Sequence, residues 1–120
     1  MSLISFIIPY YNQAKYIEET LRSVIASTYQ NFEIIIVDDG SEDKNKTQLL
    51  EIIEVINDKR IRIFHQQNAG PSVARNFAIS KANGEILVFL DGDDLIEKET
   101  LEIGLQVFSN TPDVDVVYGN

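Results

Sequence analysis

The chain has 120 residues, 44% of them apolar and 24% charged, and no cysteine. Those proportions fit a soluble globular domain and exclude a disordered spacer, a disulfide scaffold and a thiolate metal centre. Ten Lys and Arg against 19 Asp and Glu give a net charge of -9, a surface that repels phosphate backbones and so excludes nucleic acid as the expected partner.

A chain of this length buries about two-thirds of its unfolded surface, enough for one core. No apolar run approaches the roughly 18–20 residues of a membrane span. The start has no basic stretch ahead of its apolar residues, so it reads as a strand and not as a signal peptide. The expected location is the cytoplasm, at the inner face of a membrane if further segments attach it there.

Leu3 to Ile8 is a short, nearly continuous apolar run, as in a strand buried on both faces, with Pro9 as its stop. Asn12 is placed to cap a helix in which Ile17, Leu21, Val24 and Ile25 share one face. Phe32 to Val37 is a second buried strand, ending at Asp38-Asp39-Gly40-Ser41. Leu49, Ile52, Ile53 and Ile56 mark a second helix, and Ile61 to Phe64 a shorter third strand. Gly70-Pro71 opens a third helix, since proline suits the first helical position, and Gly84 is the expected cap at its end. Ile86 to Leu90 forms a fourth strand that runs into Asp91-Gly92-Asp93-Asp94. Leu101, Leu105 and Phe108 lie on one face of a fourth helix, and Val114 to Tyr118 reads as a fifth strand. There is no internal repeat and no linker, so residues 1–120 are expected to form one domain. Strand and helix alternating in this way predict an α/β fold, with parallel strands, right-handed crossovers and helices on both faces.

In an open parallel sheet, ligands bind outside the carboxyl ends of the strands, where the strand order reverses. Three loops with unusual polar residues fall at such ends: Pro9-Tyr10-Tyr11-Asn12, Asp38-Asp39-Gly40-Ser41 and Asp91-Gly92-Asp93-Asp94. Asp91 and Asp93, two apart across a glycine, can both reach one hard cation, and Mg2+ or Mn2+ keeps positions open for substrate phosphates. Asp94 reads as a helix cap. The same stretch fails as an EF-hand, because Leu95 and Ile96 occupy positions that need an oxygen ligand and a glycine. An Asp directly after a buried strand can accept a hydrogen bond from a ribose hydroxyl or a base N–H, and it equally suits a tight turn. Tyr10 and Tyr11 offer a ring for a nucleobase or for the core. Arg75, one turn inside the third helix, can reach a phosphate or form an ion pair with one of the Asp clusters; it joins the candidate nucleotide-binding residues. His65, the single histidine, is expected at a strand end without catalytic partners. The glycosylation sequon Asn45-Lys46-Thr47 has no secretion signal to give it meaning.

Taken together, Phe6-Ile7-Ile8-Pro9-Tyr10-Tyr11-Asn12, Val37-Asp38-Asp39-Gly40-Ser41, Ala74-Arg75-Asn76, Gly84-Glu85 and Phe89-Leu90-Asp91-Gly92-Asp93-Asp94 resemble family 2 glycosyltransferases. The resemblance implies the Rossmann-like GT-A fold, a three-layer sandwich. It implies transfer of a sugar, with inversion, from a nucleotide diphosphate sugar, usually UDP-linked, to a saccharide or lipid-linked acceptor. Pro9 and Tyr11 would then frame the base, Asp39 would contact it and Asp38 would lie beside it. Asp91 and Asp93 would be the DXD pair that meets ribose and metal, Mn or Mg. Members of the family continue past the fifth strand, so the chain is expected to be the donor-binding half of a longer enzyme. Its general base is expected beyond Asn120, and an apolar flank at the truncated edge is expected to favour self-association.

Two other readings compete. One is a nucleotide-sugar-binding module without catalysis. The other is a Mg-dependent receiver or phosphatase-like domain, which wants its acidic pair after the first strand, where this chain has Pro9-Tyr10-Tyr11-Asn12. A dinucleotide-binding domain would need a glycine-rich turn at that same place.

Overall fold

The computed structural model describes residues 2–90, and residues 116–119 as backbone. Strand β1 spans Ile4–Tyr10, helix α1 Ala14–Ile25, β2 Phe32–Asp39, α2 Asp43–Ile56, β3 Ile61–Gln66, α3 Pro71–Lys81, β4 Ile86–Phe89 and β5 Val116–Gly119. The strands lie side by side in the order β3-β2-β1-β4-β5. Every pairing is parallel, as the alternation of elements requires.

Side chains on successive strand residues point to opposite faces, and both faces here are apolar. On one face Phe6, Ile8, Ile34 and Ile36 meet Ile17, Leu21 and Val24 of α1 and Leu49 of α2. On the other, Ile7, Ile35 and Val37 meet Ala74 and Ala78 of α3. The result is a three-layer α/β sandwich. Phe64, Phe77, Leu87 and Phe89 pack at the margin of this second cluster.

Three local expectations are corrected. Pro9 does not stop β1, which continues through it to Tyr10. The Ile7 carbonyl accepts the Leu90 N–H on the β4 side, and Pro9, two residues on, turns its nitrogen to that same side beyond Phe89, the last described β4 partner. A missing N–H is tolerated there. Asn12 does not cap α1. Gln13 occupies that position without a side-chain capping bond, and Asn12 sits at φ 51 with its side chain turned to the next loop. Gly84 does not cap α3, which ends at Lys81 with Ala82 extended. A Cβ on Gly84 would lie 2.5 Å from Ser5 Oγ and 2.7 Å from the Leu3 carbonyl oxygen, so glycine serves here for close approach. The fifth strand is present, and the fourth helix expected around Leu101, Leu105 and Phe108 lies outside the described residues.

Below α3, buried Glu33 gathers the start of the sheet. It accepts from Ser5 Oγ at 2.6 Å, the Asn83 N–H at 2.6 Å and Arg62 Nη1 at 3.2 Å. Ser5 Oγ in turn accepts the Gly84 N–H at 2.8 Å. Burial alone would raise the Glu33 carboxyl. The hydrogen bonds from Ser5, Asn83 and Arg62 outweigh it and hold the group below its ordinary 4.5. A lowered carboxyl stabilises the fold above its unfolded value and loses that contribution as pH falls through the folded value. Glu33→Gln is expected to cost about 1–3 kcal/mol at pH 7. In urea unfolding the gap from wild type should close as pH drops below 4.5. Equal midpoints at pH 7 would remove Glu33 from this role.

Candidate functional site

The chain moves from β1 outward to β2 and β3, then returns through α3 to β4 on the other side of β1. The strand order therefore reverses at β1, and a crevice opens at the carboxyl ends around it. The loop after β1, the end of β2 and the residues leading into α3 converge on this edge.

The two acids at the end of β2 are both buried strand residues, and strand alternation sends them to opposite faces. Each bonds the residue directly across from it on β3, where the register pairs Asp38 with His65 and Asp39 with Gln66. His65 Nδ1–H donates to Asp38 Oδ2 at 2.9 Å, while Asp38 Oδ1 accepts the Ser41 N–H at 3.0 Å. His65 is thus at a strand end as expected, but it has a partner. Asp39 holds far more. Its Oδ1 accepts Gln66 Nε2 and the Ala69 N–H, both at 2.8 Å. Its Oδ2 accepts the Gly70 N–H at 3.0 Å and Asn68 Nδ2 at 3.3 Å. One carboxylate therefore shapes residues 66–70. Gly40 backs the same loop at φ +71, where a Cβ would meet the Asn68 nitrogen at 2.6 Å.

Between that loop and β1 lies a cleft of about 340 Å³, within the range of small-molecule sites. Pro9, Tyr10, Tyr11 and Gln13 line one side, and Asp39, Asn68, Gly70 and Pro71 the other. The two tyrosines part company. Tyr10 is fully buried and donates its hydroxyl to the Asn45 carbonyl at 2.9 Å. Burial first, and the Asp38 carboxylate second, push that hydroxyl up to about 12 against a weaker opposing hydrogen bond from the Gln13 backbone, so Tyr10 is a neutral donor at pH 7. Tyr11 is 48% exposed at the cleft. Among the described residues, then, the cleft unites Pro9, Tyr11 and Asp39. Asp38 faces away from Asp39, and Arg75 lies half-buried one turn further into α3, outside the lining. Among the described residues, no three of His, Cys, Asp and Glu are grouped to hold a metal ion. Asp91 and Asp93 lie outside the described residues.

Residues 5–120 match the sequence profile of the family described as glycosyl transferase family 2. The chain belongs to that family. Glycosyltransferase GlyG of Streptococcus pneumoniae is 40% identical over 119 residues, 98% of this chain and 38% of its own length. Two solved structures share the family's fold with this chain. S. aureus TarS 1–349 in complex with UDP superposes with a TM-score of 0.78 at 34% identity, over 92% of this chain and 32% of that one. The mannosyltransferase PcManGT from Pyrobaculum calidifontis, in complex with GDP-Man and Mn2+, gives 0.82 at 28% identity, over 90% and 32%. The chain thus spans about a third of the length of these proteins. The GT-A likeness agrees with the resemblance drawn from the motifs. Among the described residues, no helix is long and apolar enough to cross a membrane.

Gln66 and Asn68 escaped sequence reasoning. The signal for Gln66 was a constant offset: two polar pairs, Asp38-Asp39 and His65-Gln66, each closing an apolar strand, face one another once neighbouring parallel strands are set in register. Asp39→Asn would turn one acceptor into a donor facing other donors. It is expected to cost about 1–3 kcal/mol and to speed hydrogen exchange at the Ala69 and Gly70 amides. Unchanged protection of those two amides would show that Asp39 does not hold the loop.

Proposed function

We propose that this chain binds the donor of an inverting glycosyltransferase, a nucleotide diphosphate sugar, and that the protein's activity is transfer of that sugar to a saccharide or lipid-linked acceptor. The observation that carries the proposal is the cleft at the switch point, framed by Pro9, Tyr11 and Asp39, in a chain of this family. The solved relatives support a nucleotide-linked donor: TarS is known with UDP and with UDP-GlcNAc, and PcManGT with GDP-Man and Mn2+. UDP is the proposed nucleotide.

In this reading Tyr11 gives the base an aromatic face. Asp39 already fills about four acceptor sites, the capacity of a carboxylate. A base N–H therefore binds it by displacing the Gln66 or Asn68 amide, since side-chain amides swing aside and backbone N–H groups do not. Asp91 and Asp93 are the proposed ligands of Mn2+ or Mg2+, on the preference of these hard cations for carboxylate oxygen. They follow directly on Leu90, whose N–H is bonded to Ile7 at this edge of the sheet. Such a cation, when bound, offsets the charge of the diphosphate, which an acidic chain would otherwise repel. Inverting displacement also needs a base within hydrogen-bond reach of the acceptor hydroxyl. Asp39 is committed to its loop and Asp38 is buried against His65, so neither serves, and the base is assigned to residues other than those described.

Calorimetry with UDP, with and without Mn2+, tests this. Wild type should bind UDP more tightly with Mn2+. Asp93→Ala should bind more weakly in Mn2+ and lose most of the metal dependence. Equal UDP affinity in the variant and wild type would overturn the metal assignment, and no binding of UDP or GDP under any condition would overturn the donor reading.

A further inference from the structure

We propose that Asn12 is a positioning residue of the nucleotide cleft: it latches the loop after β1 onto the loop after β2 and so holds Tyr11 at the cleft. The inference rests on the donor-binding reading. Asn12 makes a reciprocal pair of hydrogen bonds across the two loops. Its N–H donates to Ser41 Oγ at 3.0 Å, and its Oδ1 accepts the Glu42 N–H at 2.9 Å. The Glu42 N–H belongs to the capping residue of α2, so the latch joins the start of one helix to the turn before another.

The backbone is part of the device. Asn12 sits at φ 51, in the left-handed region that costs most side chains energy and that Asn tolerates best after Gly. Tyr10 goes into the core and the neighbouring Tyr11 is exposed at the cleft, with the left-handed turn directly after it. A second link lies beside the first: Tyr10 donates to the Asn45 carbonyl, and Asn45 Oδ1 accepts the Ala14 N–H at 3.3 Å. This second link does not involve Asn12, so the loops stay joined when the latch is cut, and what the latch adds is the hold on the residues beside Tyr11, whose own N–H donates to Gln13 Oε1 at 3.2 Å.

The substitutions separate the parts. Asn12→Gly keeps the left-handed turn and removes only the acceptor. Asn12→Asp keeps an acceptor oxygen and tolerates the turn. Ser41→Ala removes the other half of the latch. With UDP and Mn2+ in calorimetry, Asn12→Gly and Ser41→Ala are each expected to weaken binding about three- to tenfold, the scale of a lost aromatic contact. Asn12→Asp should return affinity to within about twofold of wild type, since the bond to Glu42 N–H is restored. In a Tyr11→Ala background, Asn12→Gly should cause no further loss, because the group it positions is gone. Pyrophosphate affinity should be the same in all variants. UDP binding by Asn12→Gly equal to wild type, or an equal loss with and without Tyr11, would overturn the latch while leaving the donor reading intact. Wild type that binds neither UDP nor GDP under any condition would overturn both. If Asn12→Gly does not fold, Ser41→Ala alone decides, and its binding UDP as wild type does would overturn the proposal.

Discussion

Helix α3 is held against the sheet by two carboxylates on one face of β2. Glu33 takes the Asn83 N–H just past the end of the helix, and Asp39 takes the Ala69 and Gly70 N–H groups just before its start. The lengths agree. Six residues of strand cover about 20 Å, and eleven residues of helix cover about 16 Å, leaving a few residues at each end to reach the acids. Arg62 strengthens the lower clamp by bonding both Glu33 and the Lys81 carbonyl at the helix end. Only Ala74 and Ala78 are fully buried on this helix, with Phe77 packed beside Phe64 at the margin of the cluster, so the polar ties at both ends fix its position along the sheet. The upper clamp is also a wall of the cleft.

The same economy governs the charge of the molecule. A net charge of -9 makes buried acids costly unless each is surrounded by donors. Strand alternation separates the adjacent pair at the end of β2, so the two do not share one environment, and β3 supplies a donor to each from the directly opposed position. Two buried carboxylates are thereby satisfied by a histidine, two amides and backbone N–H groups, without an Arg or Lys among the partners described for them. The site is left negative overall, which is why a diphosphate donor requires a cation in the proposed reading.

At the carboxyl edge of β1 and β2 the loops are also tied to one another. Asn12, Ser41, Glu42, Tyr10 and Asn45 form a run of hydrogen bonds between the turns after β1 and β2. Loops carry binding groups best when a rigid scaffold fixes them. Here β1, buried along its whole length and paired on both edges, is that scaffold. It delivers one tyrosine to the core and the next to the cleft.

The sequence by itself determined the α/β order, the buried parallel strands and the edge of the sheet at which the cleft lies. Each of those rests on local pattern: apolar runs too short for helices, apolar residues at helical spacing, and acids placed directly after strands. The faces of Ile17, Leu21 and Val24 were legible for the same reason. What only the tertiary structure decided involves partners far apart in the chain. Asn12 suited a helix cap by residue type and spacing, but its acceptor was claimed by Glu42, thirty residues away. Gly84 looked like a helix cap, yet it is required by the passage of Leu3 and Ser5 beside it. Asp39 was legible as a candidate site residue but not as the anchor of residues 66–70, because the anchoring depends on the register of β2 against β3. Hydrogen-bond capacity is written in residue type; which donor fills it is settled by the packing of strands whose order no local pattern encodes.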